Sequence, residues 1–466
     1  SSLKAAGFYD DALNFIGHAT GYPTDSKNKP SGNQDLSTEV GFFANANYMY
    51  NNRYYADFVY RLSGSSKFGS NQRYGQFWSG GLGWNLHNEN FLKFEKLNLL
   101  KIRGSVGYTG KVNFEPFQSI TMYKYENTLE YLHGIGAIPQ TIGNDDLKWE
   151  REFSYNIGAD ISLFDRRLNA TLDFYLKRTK DLVLDASIAP STGVVSGKQN
   201  IGEMENKGFE FSVDGFIIQR NDVWWQLGMN GSTNKNRILK ISNALKRQNE
   251  LNNDVAPTRQ TPAPLAQYEE GESTSALKVV RSAGIDPATG REVFIKLDGT
   301  RTFTYSADDK VVVGDTDPRF YGNVYTNVFY KGFSLYIMGS FKCGGYLYNV
   351  TRASRVEGTT GRTNVDRRAF DSRWKEVGDI ALYRNITEHS VPQQTDRFVE
   401  KENVLTITSV NLGYEFPQRI CQKMMLRNLR LGVNLSDILR FSNVKVERGL
   451  DYLYGNGFEF TLSTTF

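Results

Sequence analysis

The feature that most constrains this chain is an alternation of apolar and polar residues that recurs along most of its length. Residues 457–466 show it most plainly, because Phe458, Phe460, Leu462 and Phe466 share one face of an extended strand and the residues between them are polar. If the sheet closes into a membrane barrel, this final strand must pair with an earlier one, since lipid offers no partners to an open edge. These four residues are therefore predicted to mark a barrel-closing strand.

The same alternation recurs throughout the sequence in segments of strand length. A tilted strand needs about 9–11 residues to cross a bilayer, and only alternate residues must be apolar. The predicted wall strands lie at 40–50, 53–62, 78–86, 100–108, 153–163, 168–177, 209–214, 223–236, 324–330, 333–341, 404–416, 429–436 and 457–466. The sequence thus predicts an all-β fold, a transmembrane antiparallel β-barrel.

The connections between these segments alternate between short and long. Short turns are predicted at 51–52, 165–166, 219–222 and 331–332, and long loops at 111–147, 181–205, 237–319 and 344–400. Outer-membrane barrels have short periplasmic turns and long extracellular loops. The asymmetry therefore favours an outer-membrane barrel over a soluble β-sandwich.

The number of wall strands depends on the stretch 237–319. Its two weak strand-like pieces, Ser275–Arg281 and Arg291–Lys296, must add zero or two strands, which gives 13 or 15. Poor alternation, with Lys278 on the apolar face, favours 13. Both counts are odd, whereas single-chain bacterial barrels have even counts. We therefore expect residues 37–466 to be the C-terminal part of a larger barrel, with 1–36 as an irregular segment.

Composition excludes several other classes. Hydrophobic residues make up 39% of the 466, the mean hydropathy is −0.47, and no run of 18 apolar residues occurs, which excludes a helical membrane protein. The net charge of +4 is spread along the chain without a Lys/Arg run, so a nucleic-acid partner is not expected. The abundant Tyr, Phe and Trp residues fit the aromatic girdles of a barrel.

No pattern in the sequence predicts an enzyme, a catalytic residue or a resident cofactor. The four histidines lie far apart in polar segments and lack zinc-ligand spacing: His18, His87, His133 and His389. Four acidic residues could hold Ca²⁺ in an outer loop, although their spacing fits no EF-hand and a solvated loop is the alternative: Asp308, Asp309, Asp315 and Asp317. Cys343 and Cys421 fall at opposite rims, beyond the ~7 Å that a disulfide permits.

The predicted outer loops carry aromatic residues that could bind a ligand. Sugar rings stack on aromatic faces while polar groups bond their hydroxyls. The candidate substrate-binding residues are Tyr346, Tyr348, Trp374 and Tyr383, with packing within the loops as the alternative. Charged residues predicted on the inner wall face water and either solvate the wall or contact substrate: Arg53, Asp57, Arg61, Lys101, Arg103 and Asp173.

Several long stretches resemble the SusC family of TonB-dependent outer-membrane transporters. They lie at 147–184, 201–215, 283–294, 313–341 and 398–417, and the terminal Phe466 also fits. The resemblance implies a barrel of about 22 strands, of which this chain would supply the C-terminal ~13. It also implies an N-terminal plug, a SusD-like surface lipoprotein as lid, and energy from the TonB complex through the part that is absent here.

The resemblance implies that the parent protein imports glycan oligosaccharides, or peptides, across the outer membrane. Two other functions remain open on the sequence alone. One is a passive porin or a surface-exposed adhesin built on a barrel, and the other is a soluble all-β binding protein. A barrel would be surrounded by outer-membrane lipid, which the soluble protein would not be.

Overall fold

The structure is a computed structural model that describes residues 19, 35–131, 134–187, 193–194, 196–255, 262–359, 365–388, 390–445 and 455–465. Its strands are β1 (Glu39–Tyr50), β2 (Tyr54–Ser65), β3 (Tyr74–Asn85), β4 (Leu97–Lys111), β5 (Met122–Tyr131), β6 (Gly134–Thr141), β7 (Glu150–Leu163), β8 (Leu168–Ser187), β9 (Ser196–Arg220), β10 (Val223–Lys240), β11 (Ala276–Ile285), β12 (Glu292–Ile295), β13 (Arg301–Thr302), β14 (Lys310–Asp315), β15 (Phe320–Tyr330), β16 (Phe333–Tyr348), β17 (Val399–Glu415), β18 (Asn428–Ser442) and β19 (Gly457–Thr465).

Helices in the described residues are few and short. The α-helices are α1 (Asn243–Val255), α2 (Arg368–Asp371) and α3 (Gln418–Lys423). Three 3₁₀ turns (Leu86–Asn88, Ala307–Asp309 and Asp396–Phe398) and a π-helical turn (Arg352–Glu357) complete the set. None of these described helices combines the length and the apolar character that crossing a membrane would need.

Thirteen strands form one continuous antiparallel sheet, which we call the wall. Its order is β1-β2-β3-β4-β7-β8-β9-β10-β15-β16-β17-β18-β19, so each strand pairs with its predecessor in the wall. The two weak pieces of 237–319 fall in β11 and β12, which join β13 and β14 in a separate four-stranded sheet. This confirms the prediction of 13 wall strands rather than 15.

Strand register separates the wall into two chemically different faces. Leu172 pairs with Phe211 and Phe174 with Phe209 on one face, which we call the outer face, whereas Asp173 pairs with Glu210 on the inner face. None of these residues is buried. The apolar face therefore packs against no second layer in the described chain, as the alternation predicts for a wall that faces lipid.

Tight turns at one end of the wall follow from residues that accept left-handed backbone. Asn51 and Asn52 have φ of 50° and 54° between β1 and β2, and Lys331 and Gly332 have φ of 43° and 93° between β15 and β16. Positive φ at both central positions matches the right-handed twist of the flanking strands. We call this the turn end of the wall and the opposite end the loop end.

Some predicted loops are shorter than expected because the strands continue beyond the alternating segments. The stretch 181–205, predicted as loop, is largely strand, since β8 runs to Ser187 and β9 begins at Ser196. The apolar alternation stops in these extensions while the hydrogen-bonded ladder goes on. The predicted loop 111–147 likewise contains the β5–β6 hairpin.

Loops after β10 and β16 pack together at the loop end into a layer with its own apolar core. We call this the loop layer, and its core consists of Leu277, Val279, Tyr348, Ala353, Val356, Ala369, Tyr383 and Phe398. The two cysteines are free and lie at opposite ends of the wall, Cys343 near the loop end of β16 and Cys421 in α3.

The structure describes only part of the final strand and of the first segment. Phe458, Phe460 and Leu462 lie on β19, exposed, and pair with apolar residues of β18. Phe466 lies outside the described residues, and closure of a barrel by this strand stays a prediction. Of the predicted irregular segment 1–36, only residues 19, 35 and 36 are described, none of them in a strand.

Candidate functional site

Three of the four candidate aromatic residues are buried in the loop layer. Tyr348, Trp374 and Tyr383 keep only 8%, 9% and 5% of their surface exposed. The Tyr348 ring lies 5.8 Å from that of Phe398, and Trp374 Nε1 donates to the carbonyl of Pro287 at 2.9 Å. The Trp374 contact joins the loop after β16 to the loop after β10, and the Tyr348 contact joins the end of β16 to the 3₁₀ turn before β17. A role in substrate binding for the three rings stays a prediction, and it would require the loops to open.

The fourth aromatic, Tyr346, lines a cleft at the rim of the wall. Strand β15 begins at Phe320, whereas its neighbours β10 and β16 extend further toward the loop end. The gap above β15 is a cleft of about 920 Å³, which we call the rim cleft. Its charged lining residues are Glu205, Lys207, Lys235, Arg237, Glu272, Asp315, Asp317 and Arg319. Of the four predicted aromatic residues, Tyr346 is the one in position to meet a ligand without loop movement.

The loop layer also contains a buried cluster of charges that the sequence analysis missed. Both ends of the Arg397 guanidinium are occupied, with two bonds to Glu292 at 2.7 and 2.8 Å and two to Glu357 at 2.9 and 2.7 Å. Arg384 adds a bond to Glu357 at 2.8 Å. We call these four residues the ion cluster. Burial alone would lower the pKa of Arg397, but the two carboxylates raise it overall.

The ion cluster connects segments that are far apart in the chain. Glu292 belongs to β12, Glu357 to the π-helical turn, and Arg397 to the 3₁₀ turn that leads into β17. Arg373 supports it by donating to the carbonyl groups of Val356 and Glu357, both at 2.8 Å, and its burial lowers its pKa. The cluster therefore fixes the shape of the loop layer. No local motif could have revealed it, because its partners are 40 and 105 positions apart.

Of the charges predicted on the inner wall, Arg103 and Asp173 pair with each other. Arg103 bonds Asp173 at 2.6 Å and Asp160 at 3.2 Å. Gly158 makes room for this group, since a Cβ there would lie 2.6 Å from Asp173 Oδ1. Lys101 sits over the Tyr55 ring at 5.0 Å. These contacts support the interpretation that such residues solvate and brace the wall.

The remaining predicted wall charges occupy the first two hairpins. Arg53 pairs with Glu89 at 3.4 Å, and Arg61 donates to Ser63 Oγ at 2.7 Å. Asp57 lies on the inner face against Gly81, where a Cβ would approach its carboxylate to 2.5 Å. Glycine at position 81 therefore leaves room for the Asp57 carboxylate.

A polar groove of about 430 Å³ lies on the inner face of β15–β19. We call it the inner groove. Its polar lining is Asn327, Ser334, Tyr336, Asn411, Arg430, Asn434, Thr461 and Ser463. Most of these groups are neutral amides and hydroxyls, and Arg430 is the sole charged member of the lining. Such a surface can bond a polar, uncharged ligand while Tyr336 offers a ring face.

Possible metal ligands are dispersed. In the described residues, no group of three or more His, Cys, Asp or Glu side chains is placed to hold an ion. Asp309 accepts from the backbone of Leu297, and Asp315 accepts from Ser275 Oγ at 2.6 Å. A Ca²⁺ site stays a prediction. His87 contacts the backbone of Leu100, and the other three histidines lie outside the described residues.

Comparisons with known proteins indicate the same β-barrel fold. A family model described as "TonB dependent receptor-like, beta-barrel" matches residues 3–434. TonB-dependent receptor P3 of Formosa agariphila is 28% identical over 434 residues, covering 89% of this chain and 42% of that protein. TonB-dependent receptor SusC of Bacteroides thetaiotaomicron is 35% identical over 214 residues, covering 44% of this chain and 21% of that protein.

Solved structures agree at the level of the fold. A structure of the RagAB peptide transporter superposes with a TM-score of 0.78 at 24% identity, covering 94% of this chain and 48% of the matched chain. This chain therefore spans less than half the length of each of these relatives. The extent of the family match nevertheless settles the affiliation: the chain belongs to the TonB-dependent receptor-like β-barrel family and is a SusC-like protein of the outer membrane.

Proposed function

We propose that this chain forms one arc of an importer that carries oligosaccharides through the outer membrane, energised through TonB. The observation that carries the substrate class is the inner groove, whose amide and hydroxyl groups match the hydroxyls of a sugar. Apolar sugar faces can stack on Tyr336. The family is one of receptors and transporters, and we propose no catalytic step.

Peptides are the second candidate substrate. The RagAB structures, one of which is 25% identical with a TM-score of 0.75, belong to a peptide importer. The rim cleft adds a feature that suits peptides, because it presents side chains of both charges near the loop end. A neutral sugar would leave these charges without partners, whereas the termini and side chains of a peptide could pair with them.

We also propose that a SusD-like lipoprotein covers the loop layer. Exposed apolar side chains cluster on the segment that follows the π-helical turn: Phe370, Val377, Ile380 and Leu382. These four residues lie close together in the chain, and exposed apolar patches mark protein interaction sites. The ion cluster, whose Arg397 donates to the carbonyl group of Leu382 at 2.7 Å, would hold this segment in a fixed shape, which lowers the entropic cost of docking a lid.

Binding measurements on the protein purified from native outer membranes test the substrate class. Asn411→Leu removes a polar group from the inner groove, and Val410→Ile, at the preceding residue on the outer face, is the control. We expect the Asn411 variant to bind an oligosaccharide pool at least tenfold more weakly and the control to bind normally. If the unaltered protein binds peptides but not oligosaccharides, the second candidate substrate would be favoured.

Uptake assays separate an importer from the other barrel functions. We expect accumulation of labelled oligosaccharide in cells with TonB and none in cells that lack it. Uptake that persists without TonB would indicate a passive porin. Surface binding without any uptake would indicate an adhesin.

A further inference from the structure

A row of phenylalanine rings crosses the outer face near the loop end. Phe209 and Phe211 of β9 have ring centroids 6.1 Å apart, Phe211 stacks on Phe320 of β15 at 6.0 Å, and Phe320 meets Phe341 of β16 at 5.0 Å. The row passes over β10 at Gly231, where a Cβ would lie 2.7 Å from both Phe211 and Phe320. Glycine at this position therefore permits a continuous apolar ledge, which we call the phenylalanine row.

Two lysines lie directly above this row, toward the loop end. Lys207 of β9 and Lys235 of β10 are register partners, one pair beyond Phe209 and Thr233 on the outer face. Both are exposed, and no acidic side chain pairs with either among the described residues. Like charges directly opposite each other on a sheet are destabilising. Glu205, two positions from Lys207 on the same face, offsets part of this cost, but Arg237 opposite it keeps the patch positively charged.

Two of the four acidic residues of the rim cleft are engaged elsewhere. Glu272 contacts the buried Lys278 at 2.8 Å, and Asp315 accepts from Ser275 and from the backbone of Asp317. Glu205 lies on the outer face in register with Arg237, while Arg178 on its other side bonds Glu203 at 2.6 Å. The outer-face side of the cleft thus presents Lys207, Lys235 and Arg237 beside the carboxylate of Glu205, an excess of positive charge.

We propose that Lys207 and Lys235 bind the phosphate of a lipid headgroup in the outer leaflet. A phosphate between the two ammonium groups would offset their repulsion and gain charge-assisted hydrogen bonds. Acyl chains from the same lipid would lie along the phenylalanine row, in the direction of the membrane. The occupant is a phosphate-bearing lipid rather than free phosphate, because the apolar ledge adjoins the charged pair.

Lipid binding to the protein purified from native membranes and stripped of lipid tests this inference. The probes are phosphatidic acid, diacylglycerol with the same acyl chains, and inorganic phosphate. The variant is Lys207→Gln/Lys235→Gln. The control removes the same charge elsewhere, with Lys177→Gln on the inner face and Lys331→Gln at the turn end.

We expect phosphatidic acid to bind the unaltered protein and the control equally, and the Lys207/Lys235 variant at least tenfold more weakly. Diacylglycerol should bind all three weakly. The variant should fold normally, because it removes a repulsion, and its melting temperature without lipid should not fall. Equal binding of phosphatidic acid to the variant would overturn the proposal. Inorganic phosphate binding as tightly as phosphatidic acid would overturn it too, since the site would then be a phosphate site without a lipid component.

Discussion

The wall and the loop layer differ in how their charged side chains are exposed to water. The wall keeps its charges on one face, where Arg103 and its carboxylate partners remain within reach of water. In the loop layer, Arg397 and Glu357 lie beneath the surface, with 11% and 0% of their side chains exposed. A buried charge is costly unless it is paired and hydrogen-bonded. We therefore expect the wall to tolerate substitution of its charges better than the ion cluster does.

The difference also separates local from distant interactions. Wall strands pair with the preceding strand of the wall, so most of their partners follow from the order of the strands. The ion cluster instead joins β12 to the start of β17 across two loops. We infer that the loop layer depends on a few long-range contacts, and that each loss there is large but confined to the loops.

Removing the centre of the ion cluster should have the largest effect. Arg397→Met leaves Glu292 and Glu357 buried without their shared cation, and breaking a buried pair in this way costs about 3–5 kcal/mol. Hydrogen exchange should show β12 and the π-helical turn losing protection while the wall strands keep theirs. Fast exchange that spreads into the wall would contradict the separation between the two regions.

A matched control keeps this test specific to burial. Arg367 forms an ion pair with Asp371 in the same loop layer, but 90% and 50% of their side chains are exposed. Arg367→Met should change the free energy of unfolding by less than about 0.5 kcal/mol. If both variants lose protection equally, charge loss alone, rather than burial, would explain the effect of Arg397→Met.

The stability of the wall should depend on which face carries a substituted residue, and not on the added charge alone. Leu172→Arg places a cation on the outer face, at a cost of about 2–4 kcal/mol near the middle of a bilayer. Thr171→Arg places the same side chain one position away on the inner face, where we expect a change below about 1 kcal/mol. Unfolding by denaturant in lipid vesicles measures both. Equal losses would mean that the two faces do not meet different solvents.

The same contrast explains what the sequence could and could not predict. The period of two between Phe458 and Leu462, and the Asn51–Asn52 turn, depend on neighbours in the chain, so strand number and face followed from the sequence. Strand ends did not, because β9 begins at Ser196 and its first residues are mostly polar, without the alternation that marks the rest of the strand. Burial of Trp374 and the contact of Arg397 with Glu292 depend on residues about 90 to 105 positions away, which alternation does not report.

A smaller effect should distinguish backbone strain from packing within the loop layer. Gly290 and Gly299 have φ of 68° and 82°, so alanine at either costs about 1–2 kcal/mol in a left-handed conformation. A Cβ at Gly290 would also lie 2.6 Å from the Trp374 ring, whereas nothing lies within 4 Å at Gly299. Overpacking adds about 1–3 kcal/mol. Gly290→Ala should therefore lower protection in the loop layer more than Gly299→Ala, as measured by hydrogen exchange. Equal losses of protection in the two variants would show that the Trp374 ring moves aside to make room for the Cβ. The loop layer would then be loosely packed around Gly290.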